Sequence, residues 1–321
     1  METITANPTY KLELTSSPHV HSRWSTKQAM WFVVFALVPA LVSSVVFFGP
    51  YQLLIVTVSV VFALGTEIGI KKIRKRQITA EDGSAVITGI LLGLVLPPNF
   101  SLSATAIGAV FAISIGKEIF GGLGYNIFNP ALAGRAFLQA AFPVSMTTWS
   151  KPSFAVDSIT SATPLSAYKF DKVLTQIDPM IIGNIGGSIG ETSVIAILLG
   201  GVFLIVIGIV NWRVPTAMIV GMIVCGGIFW AVDPTKYPNP LFQIFAGGFL
   251  LGAFFMATDW VTSPITKKGM WIFGICISIL VFTIRTFGGL PEGVMYAILI
   301  MNAFVPIINR YTMPRVFGVA K

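Results

Sequence analysis

Phe120-Gly121-Gly122-Leu123 and Phe287-Gly288-Gly289-Leu290 are the same four residues written twice, 167 positions apart, and Pro97 and Pro264 stand at the same separation. One shared proline is a cheap coincidence, but four identical residues and a proline at one offset mark an internal repeat. Working outward from it, apolar runs fall at 28–49, 51–70, 84–97, 102–120, 127–145, 193–211, 214–232, 241–258, 270–286 and 293–309. Crossing a bilayer takes roughly 20 residues, and the third run is too short for that. It ends in Pro97-Pro98, which cannot continue a helix. Moved by the repeat offset, the first run lands on the sixth. Five segments per half is an odd number, so the halves run in opposite senses. The expected fold is an all-α integral membrane protein of about ten transmembrane helices, in two inverted five-helix repeats with interrupted helices.

Composition agrees. The 321 residues are 55% hydrophobic and 11% charged, where a soluble domain carries about 25% charge. A net charge of +8 would suggest nucleic acid in a soluble chain; here the basic residues flank apolar runs, the pattern that sets membrane topology, and no nucleic-acid partner is expected. Cys225 and Cys276 fall inside apolar runs, so neither a disulfide framework nor a metal cluster is implied. Residues 1–26 lack the apolar core of a cleavable signal, so the first run is expected to be a retained helix.

With the amino terminus inside, the inner side receives Lys11, Arg23, Lys27, Lys71, Lys72, Arg74, Lys75, Arg76, Lys117, Arg213, Lys267, Lys268, Arg310, Arg315 and Lys321. The outer side receives Lys151, Lys169, Lys172, Lys236 and Arg285. The bias predicts an inner segment 1–27, a first repeat 28–145, an outer loop 146–192, a second repeat 193–310 and an inner tail 311–321. Inverted repeats with broken helices place binding sites near the midplane, at the repeat interface.

The outer loop contains Asp157-Ser158-Ile159-Thr160-Ser161-Ala162-Thr163-Pro164-Leu165. By itself this reads as a Ser/Thr-rich turn. Beyond it stand Gly116-Lys117-Glu118-Ile119-Phe120 through Asn129-Pro130-Ala131-Leu132-Ala133-Gly134-Arg135, Asp82-Gly83-Ser84-Ala85, Leu96-Pro97-Pro98-Asn99, Gly190-Glu191-Thr192-Ser193 and Phe255-Met256-Ala257-Thr258-Asp259. Together these resemble the membrane flavosubunit family of the Rnf and Na⁺-translocating NADH:quinone oxidoreductase complexes, from about Ser17 to Arg310. The closer likeness is to the D subunit of the Rnf branch. The alternative is the B subunit of the quinone-reducing branch, which has a longer amino-terminal region. A urea-transporter-like channel, also built from inverted repeats, belongs to a different class.

The resemblance implies a subunit of an ion-translocating oxidoreductase (translocase) in the bacterial cytoplasmic (inner) membrane, crossing it several times. It implies FMN esterified through its phosphate to Thr163, in a motif where Asp157, Thr160, Ala162 and Thr163 match and Ser161 stands for the usual Gly. It also implies a non-covalent riboflavin in the bundle, a flavin transferase for maturation, and partners that include an FMN-bearing subunit and small iron–sulfur membrane subunits.

The residues themselves leave further candidates. Arg135 lies within an apolar run, where a charge needs a partner: a flavin phosphate, a carboxylate, or carbonyls exposed near Asn129-Pro130. Glu67, Glu118 and Asp259 lie near the inner ends of segments. Each can guide Na⁺ or H⁺, or simply cap a helix or pair with Lys71, Lys117 or Lys267. Asp259, just before Pro264, is the first candidate for the ion path. Gly121-Gly122, Gly186-Gly187, Gly226-Gly227 and Gly247-Gly248 suit close helix packing or a flavin ring against backbone. No Gly-x-Gly-x-x-Gly lies between a strand and a helix, so NAD(H) is expected to bind elsewhere. Lys71-Lys72-Ile73-Arg74-Lys75-Arg76 anchors topology and faces lipid headgroups.

Overall fold

The computed structural model describes residues 24–152 and 162–314, and among them there is helix and no strand. Ten helices carry the architecture: α1 (Thr26–Phe48), α2 (Tyr51–Ile73), α3 (Ser84–Leu94), α4 (Leu102–Ser114), α5 (Pro130–Ala141), α6 (Val194–Ile207), α7 (Arg213–Val232), α8 (Pro240–Phe245), α9 (Lys267–Phe287) and α10 (Val294–Thr312). Among the described residues, six apolar helical stretches are long enough to cross a membrane: α1, α2, residues 102–120, α7, α9 and α10. Short apolar helices such as α3 and α6 accompany them. The chain is a multi-pass membrane protein in its physical character. Apolar side chains such as Phe35, Val42, Leu54, Phe62, Val206 and Ile228 point outward, as lipid-facing surfaces require.

Local chemistry sets several boundaries. Ser25 accepts from Gln28 N at 3.2 Å while Gln28 reaches back to Ser25 N, a capping box that starts α1. Asn129 accepts from Ala131 N and Leu132 N ahead of Pro130 in the first turn of α5, where the missing proline N–H costs nothing. Thr266 caps α9 through Gly269 N at 3.0 Å.

The packing occurs twice. In the first half α2 lies against α3 and α4, and α4 against α5; in the second, α7 lies against α8 and α9, and α9 against α10. The halves meet where α1 packs on α6 and α5 on α10. A side chain at Gly200 would meet Ala36 O at 1.9 Å, so α6 touches the backbone of α1. Trp24 Nε1 donates to Ile207 O at 3.4 Å. The start of α1 therefore lies beside the end of α6, its equivalent in the other half, and the halves are inverted.

Asn99, Phe100, Tyr51 and Ser150 gather at one end of the molecule, here the loop end. Lys71–Arg76 mark the opposite, basic end, where Arg74 donates to Glu118 O.

Several expected spans are shorter than the apolar runs that announced them. The run 84–97 is helical only to Leu94, and 127–145 is α5 followed by a new helix at Pro143. The run 102–120 leaves regular helix after Ser114, and 193–211 after Ile207. The run 241–258 breaks at Ala246-Gly247-Gly248, resumes as the turn Phe249–Leu251 and passes into a π-helical turn Gly252–Met256. The helical turns before Pro264 end at Met256, so Pro264, like Pro97 after Leu94, stands in the connection that follows an interrupted segment. Gly247 has φ +65°, a left-handed conformation that ends α8, while Pro264 sits in the later connection to α9.

Candidate flavin-loop site and its buried charge cluster

Thr163 is half-buried and precedes a one-turn helix, Pro164–Ser166, that continues as a π-helical turn, Ala167–Asp171. Its Oγ1 accepts from Ser166 N at 3.2 Å and lies 2.9 Å from Ser166 Oγ. Thr163 thus takes part in a local turn, and the residue is only half-buried. Ala162 beside it is exposed. Asp157 and Thr160 lie outside the described residues.

The segment after Thr163 is tied down by Lys169. Its ammonium donates to the carbonyls of Arg285 at 3.1 Å, Leu290 at 2.7 Å and Gly288, and reaches Ile284 O at 3.5 Å. The carbonyls of Ile284, Arg285 and Gly288 belong to the last turn and cap of α9, so the cation also meets the negative end of that helix. Burial, then the charge of Lys172, push the Lys169 pKa down; the carbonyls favour the charged form.

Beside this clamp is a cavity of about 150 Å³ at the loop end, whose lining includes Leu165, Tyr168, Lys172, Lys236, Tyr237 and Arg285. Tyr168 donates its hydroxyl to Lys236 O, and Lys172 Nζ stands 5.5 Å from the Tyr168 ring centroid.

Below the loop lies a cluster that composition does not announce. Arg135, Glu191 and Arg285 are no more than 5% exposed. Arg135 Nη2 donates to Glu292 Oε2 at 2.6 Å, so of the partners considered for Arg135 the structure supplies a carboxylate. Arg285 donates to Gln243 O, to Gln243 Oε1 at 3.3 Å and to Ala246 O at 2.9 Å. It thereby satisfies carbonyls freed by the break after α8. Glu191 Oε1 accepts from Ser188 N at 3.0 Å. The break joins loop and cluster: a side chain at Gly247 would meet Leu165 Cδ1 at 2.8 Å and Arg285 Nη2 at 3.4 Å. Thr163 and Arg135 thus belong to one end of the molecule, with Leu165, Gly247 and Glu292 between them.

Asp259 is at the other end, next to Trp260, which donates to Ile209 O at 2.9 Å. It accepts from Thr262 Oγ1 at 3.0 Å and Val261 N at 3.5 Å. Burial raises its pKa, while these donors and the Asn126 side chain pull it back. Among the described residues Asp259 forms no ion pair with Lys267. Glu67 pairs with Lys71 and, at 2.9 Å, with Lys117, which is the structural role weighed for it. Glu118 lies 3.9 Å from Lys71, and both its carboxylate oxygens lack a hydrogen-bond partner among the described residues. A second cavity, of about 90 Å³, lies between the halves at this end, among Thr88, Leu91, Asn126, Phe254, Phe255 and Asp259.

The sequence marked Arg135 as a site residue, carried Glu191 only within a family motif and Arg285 and Lys169 only as outer-side basic residues, and gave no role to Glu292. A usable signal existed, because Arg285 and Glu292 flank the second copy of the repeated tetrapeptide.

Residues 13–318 match the NQR2, RnfD, RnfE family. The chain is 45% identical over 319 residues to the D subunit of the proton-translocating ferredoxin:NAD(+) oxidoreductase complex of Clostridium ljungdahlii, covering 95% of this chain and 96% of that one. It is 40% identical over 314 residues to the D subunit of the Na(+)-translocating ferredoxin:NAD(+) oxidoreductase complex of Acetobacterium woodii, covering 97% and 96%. It is 34% identical over 347 aligned residues to the D subunit of the ion-translocating oxidoreductase complex of Yersinia pseudotuberculosis, covering 96% and 98%. Matched along nearly its whole length, with the fold and the loop-end site described, this chain belongs to the NQR2, RnfD, RnfE family.

Proposed function

We propose that this chain is the D-type membrane flavosubunit of an ion-translocating ferredoxin:NAD⁺ oxidoreductase (Rnf) complex, with FMN esterified to Thr163. The observation that carries the reading is the placement of Thr163. Its hydroxyl is half-buried at the head of a loop that Lys169 fastens to α9, directly above a buried charge cluster. The adjoining cavity fits the group in kind. Lys172, Lys236 and Arg285 offer positive charge to a phosphate, and Tyr168 and Tyr237 offer aromatic faces to a planar ring. When bound, FMN supplies electron transfer, and the protein supplies position and electrostatics.

The inter-half cavity among Thr88, Leu91, Asn126, Phe254 and Phe255 suits the non-covalent riboflavin, being largely apolar with a few polar groups. The complex would sit in the bacterial inner membrane, and its partners would include an FMN-bearing subunit and small iron–sulfur membrane subunits. The Clostridium and Acetobacterium relatives are named for different ions, so the shared sequence pattern serves both kinds of coupling, and Asp259 is the candidate on the ion path.

In-gel flavin fluorescence and the intact mass of the purified chain test the attachment. Thr163→Ala should lose both the fluorescence and the mass of FMN while the chain still inserts; fluorescence that persists would move the attachment elsewhere. With 146–192 outside, the transferase and the loop share a compartment. Lys151→Cys should then react with an impermeant maleimide in right-side-out vesicles, and reaction confined to inverted vesicles would reverse the topology.

A further inference from the structure

Glu191 and Glu292 approach the same point from two different connections, one before α6 and one before α10. Each carboxylate has one oxygen engaged, Glu191 Oε1 by Ser188 N and Glu292 Oε2 by Arg135. The other two, Glu191 Oε2 and Glu292 Oε1, are buried and have no hydrogen-bond partner among the described residues. They converge over Gly248. A Cβ placed there would lie 2.6 Å from Glu191 Oε2 and 2.9 Å from Glu292 Oε1. The oxygens are thus no farther apart than those two distances laid end to end. Any side chain at position 248 would enter the space they face.

We propose that Glu191 and Glu292 form a proton-binding site, in which one exchangeable proton sits on Glu191 Oε2 and is offered to Glu292 Oε1 over the bare Cα of Gly248. Two ionised carboxylates at this range repel, and an unpaired buried acceptor is costly. One proton eases both faults: it removes one of the two charges and turns an orphan acceptor into a donor facing the space that both oxygens share. The neighbours decide which carboxylate takes it. Arg135 bonds Glu292 directly, whereas Glu191 accepts only from the backbone N–H of Ser188. Burial, then the charge of Glu292, push the Glu191 carboxyl up to about 7, against Arg135 and Ser188. Arg285 faces the same space but spends its hydrogen bonds on Gln243 and Ala246, and Lys169 spends its own on the end of α9. A hard metal cation would need a shell of oxygens, whereas a proton needs only the pair.

Loading the site takes one proton from solution and no electron, and moves the four-residue cluster from neutral to one positive charge. The proton site stands on its own geometry. Its coupling to electron transfer rests on the reading that FMN is carried at Thr163: negative charge arriving in the loop above would favour the loaded state, and its departure would favour release.

Infrared difference spectra of the purified complex, titrated between about pH 5 and about pH 9, read the proton directly. Wild type should show a carboxylic-acid C=O band that shifts in D₂O and titrates away near neutrality, and Glu191→Gln should lack it. Glu292→Gln removes the neighbouring negative charge and should weaken proton affinity by about tenfold, and Glu191→Asp should keep a band with a moved midpoint. The same band should survive in Thr163→Ala, which separates this site from the flavin assignment. A spectrum identical in wild type and Glu191→Gln would overturn the proposal. So would a midpoint unmoved by Glu292→Gln, a result available even if Glu191→Gln fails to assemble.

Discussion

Replacing Lys169 by Met keeps the length and apolar stem of the side chain and deletes the ammonium that holds the loop. Three carbonyls at 3.1 Å or closer, those of Arg285, Gly288 and Leu290, lose their donor. A hydrogen bond to a charged group is worth about 1.5–3 kcal/mol, and the helix end adds about 0.3–1 kcal/mol. Lys169 is only half-buried, so solvent screens the charge and water can replace part of what is lost. The net cost of opening the loop should therefore fall by about 2 kcal/mol, a change of about 30-fold in the open population. Tyr168 and the exposed Phe170 flank the lysine, which makes a protease that cuts after aromatic residues a direct reporter. When reclosing is fast, cleavage follows the open population. Membrane vesicles carrying Lys169→Met should be cut in this loop about 30 times faster than wild type. Lys169→Arg should restore most of the protection. Lys172→Met, which removes a face-on contact with Tyr168, should change the rate far less. Cleavage of Lys169→Met at the wild-type rate would refute the clamp.

Two further outcomes follow from the opposite end. Glu67→Gln leaves Lys71 and Lys117 buried without their shared carboxylate, and should cost about 3–5 kcal/mol, seen as a lowered melting temperature or failed accumulation; normal stability would show that other groups neutralise those lysines. For Asp259 the sign comes from a pKa raised above the ordinary 3.8 by burial. The stability linked to it is full below that value and is lost as pH rises through the folded-state pKa. Asp259→Asn should therefore melt higher than wild type at about pH 8, with the gain fading toward about pH 4. If Asp259 lies on the ion path, the same variant should take up fewer ions per electron in reconstituted complexes; unchanged uptake removes it from the path.

The large features were legible because they rest on periodicity and length. The offset between Phe120 and Phe287 identified the repeat, and the odd number of apolar runs per half gave the inversion that Trp24 and Ile207 display. Hydropathy was less informative about where helices stop. Residues 241–258 carry no charge and only Gln243 and Thr258 as polar side chains, yet the backbone leaves the helix at Ala246–Gly248, because Arg285 supplies donors to the released carbonyls. That compensation comes from a residue about forty positions away, and no local window contains it. Arg135 stood out as a charge in an apolar run. Glu191 and Glu292 did not, because each lies in a polar connection where a carboxylate looks solvated. Only the packing of the halves buries them.

The repeat also shows which part of the cluster the fold does not need. Moving Arg135 by the 167-residue offset lands on Asn302. Both side chains reach into the connection that precedes the fifth helix of the opposite half. Arg135 reaches Glu292, ahead of α10. Asn302, with its amide oriented to satisfy both ends, accepts from Asn129 N at 3.1 Å, ahead of α5, and donates to Thr262 O at 3.1 Å. At the basic end, then, the crossing of α5 and α10 is bridged by a neutral amide, where the loop end has an ion pair. A buried ion pair is often no more stabilising than a neutral replacement of the same shape, and it is costly when one partner is lost. Bridging the same crossing at the loop end by Arg135 and Glu292 is therefore poorly explained by packing alone. Charge is placed at one end of a duplicated scaffold, directly beneath Thr163, and left out at the equivalent crossing. That asymmetry is what a site responding to charge in the loop above would require, and a scaffold serving only to hold ten helices together would not.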